Sequence, residues 1–223
     1  MNFISNLFAS SENPASLGAK FRQKRLAVFE NLFFQHFQKD QAIKVLDVGG
    51  TAYFWKGSRL LNLPQIEIVL LNLSTEDTKH PKLQSIAGDA TSLPQYKDDY
   101  FDLVFSNSVI EHLYTFENQE KMAKEILRVG QKHFVQTPNK YFPVEAHYAL
   151  PFAQYFPKNL LLSILTKTKL SRLRKWSESE AKQYLEEIRL LDEKEMKSLF
   201  PNSKIFKEKV AGLTKSITAH NFY

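Results

Sequence analysis

From Ala19 to Gln38 the apolar residues Phe21, Leu26, Phe29, Leu32, Phe33 and Phe37 recur at intervals near three and four, which predicts a helix with one apolar face. The pattern then changes to Ile43-Lys44-Val45-Leu46-Asp47-Val48, a short β-branched run that stops at Gly49-Gly50-Thr51 and reads as a strand feeding a glycine turn. Further strands are expected over Ile66–Leu71, Leu83–Ala87, Phe101–Ser106 and His133–Gln136. The clearest helix between them is Glu117 to Val129, where Met122, Ile126 and Leu127 line one side and Gly130 ends it. Strands alternating with helices imply a parallel sheet covered on both faces. That order breaks after Pro138: Pro143, Pro151 and Pro157 punctuate an aromatic-rich stretch that reads as a cap over the sheet. Regularity returns with a helix over Glu178–Ile188. Asp192 and Glu195 then have the spacing of a capping box for a helix ending at Phe200. Lys204–Val210 and Lys215–His220 alternate like two antiparallel strands.

A chain of 223 residues can bury this arrangement as one domain. Its parts are an N-terminal helical segment over 1–40, a ligand-binding core over 41–140, a cap over 141–176, and C-terminal helices with a hairpin over 177–223. The absence of cysteine excludes disulfides, thiol nucleophiles, redox pairs and cysteine-ligated zinc. The six histidines are scattered, and none share the i, i+4 spacing that aims two rings at one ion from one helix, so no metal is expected. Met1-Asn2-Phe3-Ile4-Ser5-Asn6-Leu7-Phe8 lacks the basic start and long apolar run of a secretory signal. Apolar stretches such as Leu160–Leu165 fall far short of the roughly 20 residues that span a bilayer. A cytoplasmic protein is therefore expected. Much of the net charge of +6 falls between Lys158 and Lys175, including Lys167, Lys169, Arg172 and Arg174. Such a run is ordinarily a solvated helix face. It would also suit nucleic acid, an anionic membrane surface touched peripherally through 158–175, or a phosphorylated substrate.

Asp47-Val48-Gly49-Gly50 stands where the chain leaves the carboxyl end of a central strand, the place where open α/β sheets bind ligands. Glycine lets backbone approach a ligand, and the carboxylate can engage a cationic or hydroxyl-bearing group. The G-x-G-x-x-G of dinucleotide enzymes is missing, since Thr51 and Tyr53 stand where glycines would be expected.

Later segments add to this. Gly88-Asp89-Ala90 precedes Leu93-Pro94; Phe101-Asp102-Leu103-Val104 leads into Ser106-Asn107-Ser108-Val109-Ile110-Glu111-His112-Leu113. In this order and spacing the chain resembles the class I S-adenosylmethionine-dependent methyltransferases of the small-molecule, methyltransferase type 11-like group. Their series reads LDVG, GDA…LP, FDLV and EHL, and Gln136-Thr137-Pro138-Asn139 looks like their later TPN segment. The resemblance covers about Lys44 to Asn139. It implies a Rossmann-like, doubly wound α/β fold with a mostly parallel seven-stranded sheet, a C-terminal antiparallel hairpin and an inserted cap. It also implies S-adenosyl-L-methionine as cofactor. Asp47, Gly49 and Gly50 would face its methionine end; Arg22 or Arg25 would pair with its carboxylate; Asn107 would meet its amino group through a carbonyl. Asp89, with the Ala90 backbone, would read the adenine edge. Asn72 stands where the family carries a ribose-binding acid, a departure that removes charge assistance from that contact. Leu73 and Ser108, next to Asn72 and Asn107, complete the cofactor set.

On the acceptor side the candidates are His147, His112 and Glu111. His147 lies with Glu145 in the proline-punctuated segment above the ligand end of the sheet and has a pKa suited to proton transfer. Each also has a structural reading. Glu111 and His112 begin a helix and can serve as caps; His147 can pack the cap; Asp102 bonds backbone near the fourth strand; His133 opens a strand and belongs to the fold. Tyr141, Phe142, Tyr148, Phe152, Tyr155 and Phe156 form a core or wall an acceptor pocket. The expected acceptor is a small molecule, a glycan or a lipid-linked hydroxyl. No Asn/Asp-Pro-Pro-aromatic signature of nucleic-acid amino methylation follows the fourth strand, which argues against nucleic acid. Two rivals remain: a nucleotide-binding oxidoreductase of similar fold, and a non-catalytic module in which Thr51 to Tyr53 close the pocket.

Overall fold

The computed structural model describes residues 17–223, so the reading of Met1 to Phe8 lies outside the described residues. The first helix, α1, runs over Leu17–His36, and β1 over Ile43–Val48. A short α2 (Ala52–Trp55) follows the glycine turn, then β2 (Ile66–Asn72), β3 (Leu83–Ala87) and β4 (Phe101–Asn107). α3 (Phe116–Val129) leads into β5 (Gly130–Pro138). The cap carries β6 (Val144–Glu145), β7 (Leu150–Pro151) and α4 (Lys158–Lys167). α5 (Glu178–Glu187), α6 (Glu193–Leu199), β8 (Lys204–Val210) and β9 (Leu213–His220) complete the order.

The seven-stranded sheet has the order β3-β2-β1-β4-β5-β9-β8. β1 to β5 are mutually parallel, and β9 joins β5 antiparallel with β8 outside it. This is the Rossmann-like, mostly parallel seven-stranded sheet with a C-terminal antiparallel hairpin expected from the sequence. Successive side chains of a strand point to opposite faces, and both faces are covered. Leu46, Val48, Val69, Leu71 and Val104 pack on one side with Met122 and Ile126 of α3 and Met196 of α6. Val45, Ile68, Leu70, Leu103 and Phe105 pack on the other with Phe29 and Phe33 of α1 and Trp55 of α2. Strands buried on two faces must be apolar almost throughout, which is why their sequences read as continuous hydrophobic runs.

Two details differ from the sequence reading. Leu127 is exposed, and α3 buries Gln119, Met122, Ala123, Ile126 and Val129. A narrower stripe than three apolar residues suggested faces the sheet. Gly130 has φ −119°, so it does not close α3 in a left-handed turn but carries the chain directly into β5. The capping box forms as expected: Asp192 accepts from Glu195 N at 2.9 Å, and Glu195 Oε2 accepts from Asp192 N at 3.0 Å.

The registers place the strand ends in a row. Val48 lies opposite Leu71 and Ser106, Asn72 opposite Ala87, and Asn107 opposite Gln136. With neighbouring strands about 4.8 Å apart, the carboxyl ends of β3, β2, β1 and β4 lie side by side across roughly 15 Å. A third cluster joins the cap to α5, with Tyr148, Leu150, Leu161, Leu165 and Trp176 packed on Ala181.

Candidate functional site

At the end of β1 the Asp47 side chain turns under the loop. It is 1% exposed and accepts from Trp55 Nε1 at 2.7 Å. Burial pushes its pKa up to about 8; the Trp55 N–H works against that shift and the Glu76 charge adds to it. Gly49 has φ +74°, and a Cβ on Gly50 would fall 1.8 Å from Asp47 Oδ2. Only glycine allows this turn to fold over the carboxylate. Thr51 caps α2, and Glu76 from the loop after β2 accepts from Ala52 N at 2.6 Å.

Asn72 ends β2. Its Nδ2 donates to the Gly50 carbonyl at 2.6 Å, and its own carbonyl accepts from Gly88 N at 2.8 Å. The side-chain amide thus ties the glycine turn to the end of β2, which a carboxylate, having no N–H, could not do, while the Asn72 main-chain carbonyl holds the segment after β3. Leu73 beside it is 88% exposed at the rim. Asp89 is exposed, and its Oδ1 accepts from Thr91 N and Thr91 Oγ1, both at 2.8 Å, which fixes the loop that also carries Ala90.

At the end of β4, Asn107 Oδ1 accepts from Arg25 Nε at 3.0 Å. Arg25 reaches it from α1 and also pairs with Glu208 of β8 at 3.1 Å. Burial lowers the Arg25 pKa and the Glu208 carboxylate opposes the shift; Arg22 is close enough to lower it further. Ser108 takes φ +60°, donates its N–H to the Gln136 carbonyl at 2.9 Å and its hydroxyl to Gln136 Oε1 at 2.9 Å.

Beyond this turn three acceptor-side candidates meet. Among the described residues, Glu111, His112 and His147 each offer a ligand-type atom, and these atoms lie within 4.8 Å of one another. The two imidazoles meet edge to face with centroids 5.0 Å apart. His112 Nδ1 is 2.5 Å from Glu187 Oε1, and His147 Nδ1 is 2.6 Å from Glu145 Oε1. Burial pulls the His147 pKa down, but the Glu145 carboxylate and the Glu111 charge more than offset it, so the net direction is upward. Glu111 is fully buried; Oε2 accepts from Thr137 Oγ1 at 2.9 Å while Oε1 has no partner. Glu145 also lines a cavity of about 250 Å³, together with Lys140, Tyr148, Gln154, Lys158 and Arg189.

Residues 46–133 match the family model described as a methyltransferase domain. Over that stretch the chain is similar to class I S-adenosylmethionine-dependent methyltransferases, and the match supports S-adenosylmethionine as its cofactor. The PH0226 protein from Pyrococcus horikoshii OT3 is 18% identical and superposes with a TM-score of 0.55 over 95% of this chain and 92% of its own. A putative O-methyltransferase from Nostoc punctiforme PCC 73102 is 13% identical, with a TM-score of 0.53 over 94% of this chain and 61% of its own. The N-terminal domain of EvdMO1, solved with S-adenosylhomocysteine bound, is 13% identical, with a TM-score of 0.50 over 89% and 79%. These likenesses are of fold. No curated protein matches the chain by sequence.

Asp47, Gly49, Gly50, Asn72, Asp89 and Asn107 all fall at one end of the sheet. Asp102 accepts from Lys44 N at 2.8 Å and His133 contacts Ser203 at 2.6 Å, both serving the fold as expected. The basic stretch is not uniformly solvated. Arg172 donates to the carbonyls of Ala146 and His147, and Arg174 pairs with Glu180, whereas Lys158, Lys167 and Lys169 are exposed. Of the cap aromatics Tyr148 is buried, and Tyr141, Phe152 and Tyr155 are more than half exposed. Sequence reading did not find Trp55, Glu76 or Glu187. For Glu187 the only signal was a glutamate near the end of a predicted helix. For Trp55 it was a large indole four residues past the expected last glycine-turn position, a donor that must be satisfied when buried.

Among the described residues no helix is long and apolar enough to cross a membrane.

Proposed function

We propose that the domain transfers the methyl group to a hydroxyl-bearing small-molecule, glycan or lipid-linked acceptor held beneath the cap. S-adenosylmethionine, when bound, supplies a methyl already activated on a sulfonium. The protein's part is therefore alignment of donor and acceptor and exclusion of water. The Gly49–Gly50 turn brings bare backbone to the methionine end, with Asp47 beneath it. Asn72 spends its amide N–H on Gly50 and keeps Oδ1 for a ribose hydroxyl, with Leu73 at the rim; Asp89 and the Ala90 backbone take the adenine edge. Because Arg25 already holds the Asn107 side chain, the Asn107 main-chain carbonyl is left for the cofactor's ammonium, Ser108 sets the turn beside it, and Arg22 takes the carboxylate. Glu111, His112 and His147 receive the acceptor hydroxyl and its proton. The observation that carries this reading is the row of strand ends, which brings residues from β1, β2, β3 and β4 to one edge.

Within the acceptor classes, exposed Leu160, Leu170 and Leu173 beside Lys158, Lys167 and Lys169 favour a lipid-linked molecule approached from an anionic membrane surface. Titration calorimetry with S-adenosylhomocysteine should give a micromolar Kd, and Asp89→Ala should weaken it about tenfold, as for a charge-assisted hydrogen bond. No heat at millimolar ligand would overturn the cofactor placement. Radiolabelled methyl transfer into separate small-metabolite, glycan and lipid-linked fractions identifies the acceptor class. His147→Ala should spare S-adenosylhomocysteine affinity and lower turnover by about 10²–10⁴-fold, the range for a lost proton acceptor. Near-normal turnover in that variant would remove His147 from the chemistry.

A further inference from the structure

Among the described residues, Glu111 is one of five with a buried polar side-chain atom that has no partner. It is 0% exposed, its Oε2 is satisfied by Thr137, and its Oε1 faces no donor. An unpartnered oxygen on a buried carboxylate is costly unless something absent from the protein itself supplies the positive charge. Around it stand two imidazoles whose Nδ1 atoms are already engaged by carboxylates, Glu187 on His112 and Glu145 on His147. A carboxylate on Nδ1 fixes the ring's orientation and leaves Nε2 as the free donor. This outer pairing is characteristic of metal-ligating histidines. The three side chains come from the 3-10 turn after β4 and from the cap, so neither segment alone makes the set.

We infer that Glu111, His112 and His147 form the protein half of a site for one divalent first-row transition ion, such as Mn²⁺, Fe²⁺, Co²⁺ or Zn²⁺. Two imidazoles and one carboxylate suit these ions and are a poor match for Mg²⁺ or Ca²⁺, which prefer oxygen throughout. Ligands about 2.1 Å from a common ion lie roughly 3–3.5 Å from one another. The atoms here lie within 4.8 Å, so rotations that move them an ångström or two close the set. Three protein ligands leave positions open. On the proposed function, an acceptor hydroxyl takes one of them and releases its proton more readily there, to water, with His147 then serving as ligand in place of proton acceptor. That role rests on the proposed function; the ion binding does not.

The test uses the full chain stripped with a chelator and titrated calorimetrically with MnCl₂ and with ZnCl₂, and separately with S-adenosylhomocysteine. One ion per chain with a micromolar or tighter Kd is expected. Glu111→Gln, which can still accept from Thr137, should weaken binding at least tenfold. Glu187→Gln, which only orients His112, should weaken it about 10–100-fold. Melting curves of the metal-free proteins confirm that both variants fold, and the visible spectrum of the Co²⁺ form reports nitrogen ligation lost in His147→Ala. Absence of saturable binding up to about 1 mM ion, or variants that bind as the wild type does, would overturn the site. If the ion fails to bind while S-adenosylhomocysteine still does, the metal inference falls and the methyltransferase reading stands. If both fail, the metal inference and the cofactor placement fall together.

Discussion

In the sheet, main chain answers main chain: from Ile43 opposite Ile66 to Pro138 opposite Ser216, neighbouring strands satisfy each other. In the cap, side chains answer it. The Ser171 hydroxyl donates to the Tyr148 carbonyl at 2.6 Å, Gln154 Nε2 donates to the Phe142 carbonyl at 2.8 Å, and Arg172 reaches the carbonyls of Ala146 and His147 at 2.9 Å. Buried backbone must be satisfied in either place. Where no ladder exists, particular polar side chains take over the task. The sheet therefore tolerates many apolar sequences, whereas the cap depends on a few specific residues drawn from distant positions. The proposed cofactor edge rests on the first kind of structure and the proposed acceptor cluster on the second.

The largest effect should come from Asp47, a carboxyl group buried at the end of a central strand. The folded state holds the Asp47 proton to about pH 8, whereas an unfolded aspartate releases it near pH 3.9. The folded form binds the extra proton between those values, so stability falls as pH rises from about 4 through about 8. Asp47→Asn keeps an acceptor for Trp55 and should flatten that fall, a gain of roughly 5 kcal/mol at pH 9. The check is a set of denaturation curves against pH. A wild type whose stability is flat from pH 5 to 9 would contradict it.

Next is Arg25, which ties the sheet to both ends of the described chain. Removing one partner of a buried pair leaves a stranded charge at a cost of about 3–5 kcal/mol. Arg25→Ala should lower Tm by roughly 10 °C and weaken S-adenosylhomocysteine binding, since Asn107 loses its donor. Glu208 keeps Lys215 and Ser216 as partners, which favours the lower end of that range. Leu165, fully buried under the cap, separates the two regions. Leu165→Ala should cost about 2–4 kcal/mol, with faster amide exchange in 158–187 and little change in β1 and β4. Uniform acceleration across both would show that cap and sheet unfold as one unit.

These contrasts also mark how much the sequence could reveal. Strands buried on both faces announce themselves as apolar runs, and β1 to β4 and the capping box of Asp192 and Glu195 appear where they were read. β5 is longer than its apolar centre, extending over Gly130–Pro138, because its ends pair with neighbours whatever their side chains. Arg25 was named as a candidate, but its pairing with Glu208 could not be read, since that partner lies 183 positions away on a strand added to the far side of the sheet. The histidine cluster was hidden for a related reason. Spacing rules detect ligands that share a helix, whereas His112 and His147 meet only once the cap has folded.

Two smaller effects refine the comparison. At the sheet edge, Asn72→Asp would set a carboxylate against the Gly50 carbonyl that now receives a hydrogen bond. A loss of about 1–2 kcal/mol and weaker S-adenosylhomocysteine binding are expected; tighter binding would show that the ribose contact outweighs the turn. In the cap, exposed Leu173 is held at φ +57°. Leu173→Gly relieves a left-handed conformation and should raise stability by up to about 1 kcal/mol, unless thermal melting shows a loss and assigns the leucine a contact.

The pairing of Arg25 with Glu208 also sets a clock on synthesis. β1 to β4 have been made about a hundred residues before Glu208 is added. At roughly 5–20 residues per second, the nascent chain spends about 5–20 seconds with its first helix and four strands present and the Arg25 guanidinium without its carboxylate. Throughout that interval the turn bearing Asn107 lacks its finished brace. A ribosome-bound chain can therefore collapse its first strands early, but Arg25 gains its carboxylate only once the whole hairpin has been made, because β8 joins the sheet through β9.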